Sequence, residues 1–485
     1  MLGPADFRFI GQQHTLQQPS DWNHPQWPKL WLYNAHYFDD LVADDAARRS
    51  QWHRALLQRW IAENPPAAGN GWEPYPISLR AVNWIKWALA GNALDTASQH
   101  SLAVQIRHLR KRLEVHLLGN HLWANLKALL FASAWFDGEE AQAWRAHALP
   151  LFQRELGEQI LDDGGHFERS PMYHAVLLED LLDLVQLSTL YPDAFSAATV
   201  AQWRATATRM LRWLRVMSHP DGGIAFFNDA ALGIASSLAA LQSYANDLGV
   251  AWDSSPLQDV EHLATSGYVR LQNDQAVVIA DVGVIGPDYL PGHAHADTLS
   301  FELSVHDQRV LVNGGTSTYE ANALRLRQRG TAMHNTVTVD DQDSSEVWSS
   351  FRVARRARPM GITIQRESGA LILSAAHDGY QRLPGKVTHL RTWRLQSDRL
   401  TIADTLHGKA SHATARYRFA PGWSPSADGL TGPGQQRVML DDLPAGQRMV
   451  DDYWYPRFGE QLPCHVLEIE AAHGAVCTLR WNRPE

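Results

Sequence analysis

Two imidazoles one residue apart, His293 and His295, sit in the stretch Gly292-His293-Ala294-His295-Ala296-Asp297, between apolar strand-like runs. On a regular strand residues i and i+2 share a face. Pro291 and Gly292 just ahead predict an irregular entry that splays the two rings toward different tasks. Alone, the stretch reads equally well as a polar loop with two solvated histidines. Its company further on shifts that balance: Asn313-Gly314-Gly315, Tyr319, Arg325, Arg329 and His334-Asn335-Thr336-Val337. His295, Asn313 and His334 could offer a metal ion two imidazoles and an oxygen, although their spacing fits none of the short zinc motifs.

Three more polar clusters stand in the first half. Trp72-Glu73-Pro74-Tyr75-Pro76 precedes Arg80 and Asn83, which are neighbours on a helix; Arg80 could simply pair with a carboxylate. Gly119-Asn120-His121-Leu122-Trp123 opens a strongly apolar helix. Asn120 reads first as its N-cap, and His121 and Asn125 share one face. Asp162-Asp163-Gly164-Gly165-His166-Phe167-Glu168 runs into Ser170-Pro171-Met172-Tyr173-His174, where Tyr173 opens another helix. Its hydroxyl could meet the same rim as Asn120, or it is a core tyrosine with one satisfied hydrogen bond.

The elements that must position these residues fall into two textures. From about Trp31 to Asn246, apolar residues recur at three- and four-residue spacing in Ala46–Glu63, Leu79–Leu94, Leu102–Leu117, Leu122–Phe136, Tyr173–Tyr191 and Ala198–Met217. Breakers such as Pro65-Pro66 and the two Asp-Gly-Gly sequences at 163 and 221 separate them. After about Ser255 the runs turn short and β-branched, among them Val277–Ala280, Leu299–Val305, Thr336–Val339, Leu390–Leu395 and Val466–Ile469. Helices followed by strands mean an α+β multidomain chain rather than an alternating α/β sheet. The expected division is residues 1–255, helical with an N-terminal lead-in, and 256–485, antiparallel β.

At 485 residues the chain is too long for one ordinary core, and its balance of apolar and charged residues is that of a globular protein. A net charge of −9 with no apparent lysine- or arginine-rich run argues against a nucleic-acid partner, while leaving an acidic substrate open if a cleft concentrates positive groups. Nineteen tryptophans exceed the usual count and suit a carbohydrate cleft as well as a core. Cys464 and Cys477 could pair across a hairpin but make no disulfide framework. No membrane span and no signal peptide are legible, so the expected setting is cytoplasmic, or a chain whose leader has been removed. The oligomeric state is not legible.

In their order, several motifs resemble the heparinase II/III-like family of polysaccharide lyases. They are Asp21-Trp22-Asn23 with Leu30-Trp31-Leu32-Tyr33-Asn34, Gly119-Asn120-His121, Glu168-Arg169-Ser170-Pro171-Met172-Tyr173-His174, His293-Ala294-His295-Ala296-Asp297 and Arg329-Gly330-Thr331-Ala332-Met333-His334-Asn335-Thr336-Val337. The resemblance runs from about residue 20 to 400. It implies an N-terminal (α/α) toroid, a C-terminal antiparallel β-sandwich, and an active cleft between them.

It also implies β-elimination on a polysaccharide containing uronic acid. A base removes the C5 proton, and the bond to the O4 leaving group breaks. The C5 proton is acidic enough only if the neighbouring carboxylate is neutralised, a task for preorganised donors. By similarity Asn120 and His293, with His121 as accessory, neutralise it, and Tyr173 transfers the proton. A tyrosine, with a free pKa of about 10, needs nearby positive charge to act as a base, which Arg329 or a protonated histidine could supply. The competing assignment makes His121 the base and Tyr173 only the acid. Arg80, Asn83, Glu168, Tyr319, Arg325 and Arg329 are the candidates for substrate contact. Family members that hold zinc use two histidines and an aspartate. Here His295 and His334 match, but Asn313 stands in the aspartate's place, which leaves room for a structural zinc at reduced affinity. No organic cofactor is expected.

Two other functions compete. A glycoside hydrolase needs two flanking carboxylates, for which Glu168 and Asp229 are the available pair. A non-catalytic or biosynthetic role in assembling a surface polysaccharide would account for the missing signal peptide.

Overall fold

A computed structural model describes residues 1–444 and 446–482. Helices dominate the first half and antiparallel sheets the second, as the change of periodicity predicts. The chain resolves into two compact units, Met1–Gln159 with Asp180–Arg204, and Ile160–Glu179 with Ala205–Glu485. The compact units therefore differ from a cut at residue 255: residues 160–179 and 205–255, helical in sequence texture, belong with the β region.

The first unit opens with a hairpin, β1 (Asp6–Phe9) and β2 (Gln12–Thr15). Its helices are α1 (Lys29–Tyr37), α2 (Ser50–Glu63), α3 (Pro74–Leu89), α4 (Thr96–Arg110), α5 (Gly119–Trp135) and α6 (Glu139–Gln159). The division between units falls within α7 (Pro171–Leu190) and α8 (Ala197–Val216). α5 is apolar nearly all round and is buried from Leu122 to Ala134, as a helix without a polar face must be. It packs against α3 and α6. Its one interior cation, Lys127, is held by Asp180 and Asp183 at 2.5 Å each, so the charge is buried as part of a cluster.

Helix limits moved where local chemistry overrides periodicity. α3 begins at Pro74, earlier than expected, because proline is well suited to the first helical position. It stops before Gly91, which has a left-handed φ of 94°. α4 starts at Thr96, where the Asp95 carboxylate accepts from Ser98 N at 2.8 Å. α6 escaped the periodicity because Pro150 lies inside it, where the ring normally interrupts a helix.

In the second unit, α9 (Leu238–Asp247) precedes a five-stranded meander of β3 (Val260–Leu263), β4 (Tyr268–Gln272), β5 (Ala276–Asp281), β6 (Phe301–Val305) and β7 (Gln308–Leu311). α10 (Ala323–Arg329) and β8 (Val337–Val339) follow, then a separate hairpin, β9 (Glu346–Trp348) with β10 (Arg352–Ala354). The chain continues through β11 (Pro359–Glu367), β12 (Ala370–His377), β13 (Thr388–Gln396), β14 (Arg399–His407), β15 (Ala413–Arg418), β16 (Ser424–Ser426), β17 (Gly429–Thr431), β18 (Arg437–Asp441), β19 (Arg448–Trp454), β20 (Leu462–Glu470) and β21 (Ala475–Trp481). An eight-stranded sheet has the order β11-β12-β13-β14-β21-β18-β17-β16, and a four-stranded one the order β19-β20-β15-β8. β13 alternates buried and half-buried residues along its length, the period of a sheet with one covered face. β5 and β6 are buried on both faces. Trp213 and Val216 at the end of α8 pack with Phe227, Leu263, Tyr268 and Ile279 in one core cluster.

The two Asp-Gly-Gly breakers do the same work. The Asp163 carboxylate accepts from Gly165 N at 3.0 Å, and Asp221 from Gly223 N at 2.8 Å, around Gly164 and Gly222 in the left-handed region. Cys464 and Cys477, which could have paired across a hairpin, do not. They lie on β20 and β21, which belong to different sheets, and both are buried free thiols. Among the described residues no helix is long and apolar enough to cross a membrane.

Candidate active site

The second unit gathers Tyr173, Glu168, Asp229, His293, His295, Tyr319 and Arg325. Tyr173 stands in the first turn of α7 because Pro171 begins that helix and Ser170 Oγ accepts from Tyr173 N at 3.2 Å. The same Ser170 hydroxyl donates to the carbonyl of Asp229, tying the helix start to the Asp229 segment. His293 and His295 lie on an irregular loop, not a strand, and both rings turn to one carboxylate. His293 Nδ1 is 2.9 Å from Asp229 Oδ2, and His295 Nε2 is 2.9 Å from Oδ1. The splayed tasks expected of the two rings are thus joined at a shared partner.

Asp229 is the hub. It is fully buried, and Arg325 clasps it with both terminal nitrogens, Nη2 at 2.7 Å from Oδ2. Thr316 Oγ1 adds a fifth contact at 3.3 Å. Burial pushes the carboxyl pKa up, but Arg325 and the two imidazoles outweigh it and hold the group well below the usual carboxylate range. Both oxygens are committed, so this carboxylate has none to offer a sugar. The sequence offered one sign of it: an acid next to Phe226-Phe227 must find a buried partner.

Around this hub stand the groups with chemistry to offer. The Tyr173 and His293 rings lie 4.0 Å apart at 33°, and Tyr173 Oη is 2.9 Å from Tyr319 Oη. The ring nitrogen of His293 that is not directed at Asp229, Nε2, looks toward Glu168 Oε2 at 3.7 Å. Burial, reinforced by the Asp229 charge, pushes the Tyr319 phenol well above its ordinary pKa, so Tyr319 stays protonated. The positive charge beside the phenols comes from Arg325, 4.9 Å from the Tyr319 ring centre, and not from Arg329. Arg329 is buried with Nε and Nη2 on the Ala294 carbonyl (3.1 and 2.9 Å) and Nη1 on that of Ser349 (3.1 Å). Burial and then Arg325 draw its pKa down to about 10, which still leaves it charged near neutrality.

In the first unit, Asn120 is the second residue of α5 and not its cap; Leu118 occupies the cap position, with φ of 58°. The Asn120 side chain hydrogen-bonds Tyr75. His121 stacks on the Tyr75 ring at 4.4 Å, and its Nδ1 is 3.1 Å from Glu114 Oε1. Asn125, expected on the His121 face, donates to the other Glu114 oxygen at 3.0 Å. Arg80 and Asn83 are turned inward. Arg80 is fully buried, lies 3.8 Å from the Trp60 ring centre, and donates to Gln105 Oε1 and to the His36 and Gly71 carbonyls. Its partners are an amide and carbonyls, not the carboxylate the sequence suggested. Asn83 donates to the Tyr37 carbonyl and to Asp39.

The pattern of a heparinase II/III N-terminus matches residues 44–250, and that of a heparinase II/III-like C-terminal domain matches 255–460. The chain belongs to the heparinase II/III-like family. A heparin-sulfate lyase of Bacteroides stercoris is 24% identical over 265 residues, covering 48% of this chain and 38% of that one. FtsZ-localized protein C of Caulobacter vibrioides is 28% identical over 412 residues, 79% of this chain and 65% of that one. The chain thus spans less than two thirds of either relative. A crystal structure of heparinase III superposes with a TM-score of 0.74 at 15% identity, over 94% of this chain and 77% of that one, a likeness of fold.

In this heparinase II/III-like chain the expected zinc ligands fit the ion only in part. His295 Nδ1 and His334 Nε2 are 3.2 Å apart. That is close to the roughly 3.3 Å edge of a tetrahedral zinc site, and equally a hydrogen bond between neutral imidazoles. Burial pushes His295 down to about 4 and His334 well below its ordinary value, so both rings are neutral. Asn313 is otherwise engaged, its Oδ1 accepting from Asn335 N at 3.1 Å and its Nδ2 3.4 Å from Ser300 Oγ. Among the described residues no three His, Cys, Asp or Glu side chains are arranged to hold a metal.

Proposed function

We propose that the chain is a polysaccharide lyase that cleaves a polysaccharide containing uronic acid by β-elimination. The observation that carries this is the packing of Tyr173 on His293 with its hydroxyl on Tyr319, all set over the Asp229–Arg325 pair. Tyr173 takes the C5 proton and passes it to O4 as the C4–O4 bond breaks, so the same proton serves both steps. The electron pair left at C5 becomes the C4–C5 double bond. Tyr173 acts as base from its phenolate form, which accepts a hydrogen bond from the Tyr319 hydroxyl and is favoured by the nearby Arg325 charge. Asp229 accepts from His293 Nδ1–H and so fixes the ring; neutralising the uronate carboxylate then calls for a second proton on Nε2, so the donor is the imidazolium. Asn120 and His121 stand in the first turn of α5, a position that by itself favours an anion.

The test is ultraviolet absorbance from the unsaturated uronic end over a panel of acidic polysaccharides, with wild type and Tyr173→Phe. The wild type is expected to produce the signal on at least one, and Tyr173→Phe to lose it while remaining folded. A Tyr173→Phe protein with wild-type turnover would remove Tyr173 from the mechanism. Hydrolysis, which leaves no absorbing end, is disfavoured because Asp229 has no oxygen for a sugar. A non-catalytic role has one observation behind it: the relative aligned over 79% of this chain is named for its place with FtsZ and not for an activity. Full biological effect of Tyr173→Phe and His293→Ala proteins in cells would favour that reading.

A further inference from the structure

The β9–β10 hairpin is two strands with no third to support them, a unit that is marginal by itself in water. Two buried arginines of α10 hold it against the Tyr173 cluster. Arg325 Nε and Nη2 donate to the Ser350 carbonyl at 3.1 and 3.0 Å, and Arg329 Nη1 donates to that of Ser349. Ser349 is kept in the left-handed region at φ of 51°, unusual for a side chain other than glycine or asparagine. The same arginines grip Asp229 and the histidine loop, so the hairpin tip is fixed to the groups it adjoins.

That tip displays what a soluble surface normally hides. Trp348 is 55% exposed and Phe351 41%, with Phe351 5.4 Å from the Tyr319 ring and 6.1 Å from that of His293. Directly across the ladder from Trp348 stands Arg352, exposed and without an ion pair among the described residues. Arg352, Arg355, Arg356 and Arg358 put four arginines in seven residues of a chain whose net charge is −9. This corrects the expectation that no basic run exists. Two of the four are already paired, Arg355 with Glu346 and Arg356 with Asp288, each at 3.0 Å, which leaves Arg352 and Arg358 without an ion pair among the described residues.

The geometry points to the β9–β10 hairpin as a binding platform for an anionic sugar residue, continuous with the Tyr173–His293 site. Trp348 covers the apolar face of the ring, Arg352 meets its carboxylate or sulfate, and Phe351 joins the platform to the reacting sugar. It rests on the lyase reading for the chemistry and adds the surface that holds the glycan beside it. The uncompensated charges of Arg352 and Arg358 also draw a polyanion toward the aromatic surface that can capture it.

The test uses full-length Tyr173→Phe protein, as a turnover-free binder, in affinity electrophoresis through heparan sulfate, alginate or neutral dextran. Retardation is expected in an acidic gel and not in dextran; heparan sulfate against alginate separates sulfate from carboxylate recognition. Adding Trp348→Ala should weaken binding roughly three- to tenfold, while Trp348→Phe retains most of it. Arg352→Gln should flatten the dependence of binding on salt. In the otherwise wild-type enzyme, Trp348→Ala should raise KM by more than it lowers kcat. The platform is overturned if neither acidic gel retards the parent, if dextran retards it equally, or if Trp348→Ala and Arg352→Gln bind as the parent does. Binding that depends on Trp348, with no elimination product from wild type, would sink the lyase reading and keep the platform. Turnover with KM indifferent to Trp348 would do the reverse.

Discussion

Asp229→Asn isolates the charge on which the second unit's site is built. The substitution keeps size and one accepting oxygen, but turns an N–H toward Arg325, His293 or His295, all of which donate to Asp229 now. More costly, it leaves the Arg325 cation buried without its counter-charge. Breaking one side of a buried ion pair costs about 3–5 kcal/mol. Domains of 150–250 residues lose about 2–4 °C of Tm per kcal/mol, so the fall should be roughly 6–20 °C, toward the lower end for a unit this large. Differential scanning calorimetry at pH 7 measures it, with Arg325→Met and the double variant completing a cycle. The double variant should be less unstable than the sum of the singles by about 1–3 kcal/mol, because removing both charges strands neither. A fall in Tm below about 2 °C for Asp229→Asn, or strict additivity in the cycle, would refute the hub.

The same carboxylate sets a pH dependence. Its folded pKa is depressed, so its stabilisation is present above the unfolded value of about 3.9 and is lost as pH falls through the lower folded value. The Tm gap between wild type and Asp229→Asn should therefore narrow only in strongly acidic solution; a gap that narrows between pH 8 and 6 would contradict the assignment. Tyr173→Phe gives up the hydrogen bond to Tyr319 and keeps its ring on His293, so stability should fall by on the order of 1 kcal/mol by urea titration while turnover disappears. Asn313→Asp supplies the anionic ligand that the family resemblance groups with His295 and His334, so added zinc should raise the Tm of this variant more than that of wild type. An equal response in both would show that Asn313 does not limit the site. Arg80→Met removes the donors to three buried acceptors and should cost at least about 3 kcal/mol. At a temperature where that variant is folded, KM should be unaltered; a raised KM would return Arg80 to substrate binding.

What the sequence determined by itself was whatever neighbouring residues decide among themselves. The period of 3.6 marked α5 and α7, the short β-branched runs marked β5, β13 and β20, and the order of the histidine, asparagine and tyrosine motifs carried the family resemblance. Caps, glycine stops and Pro150 moved or hid helix limits, since each acts over a single turn and leaves periodicity unchanged. The roles within the site were decided only by tertiary structure. Arg325 and Asp229 are 96 residues apart, and Tyr173 and Tyr319 are 146 apart. No local signal could tell that Asp229 gathers both histidines, that Arg325 and not Arg329 lies beside the phenols, or that Arg80 faces a core. A side chain's charge is written in its own residue, but the partner that compensates it once water is excluded comes from whichever segment the fold brings near.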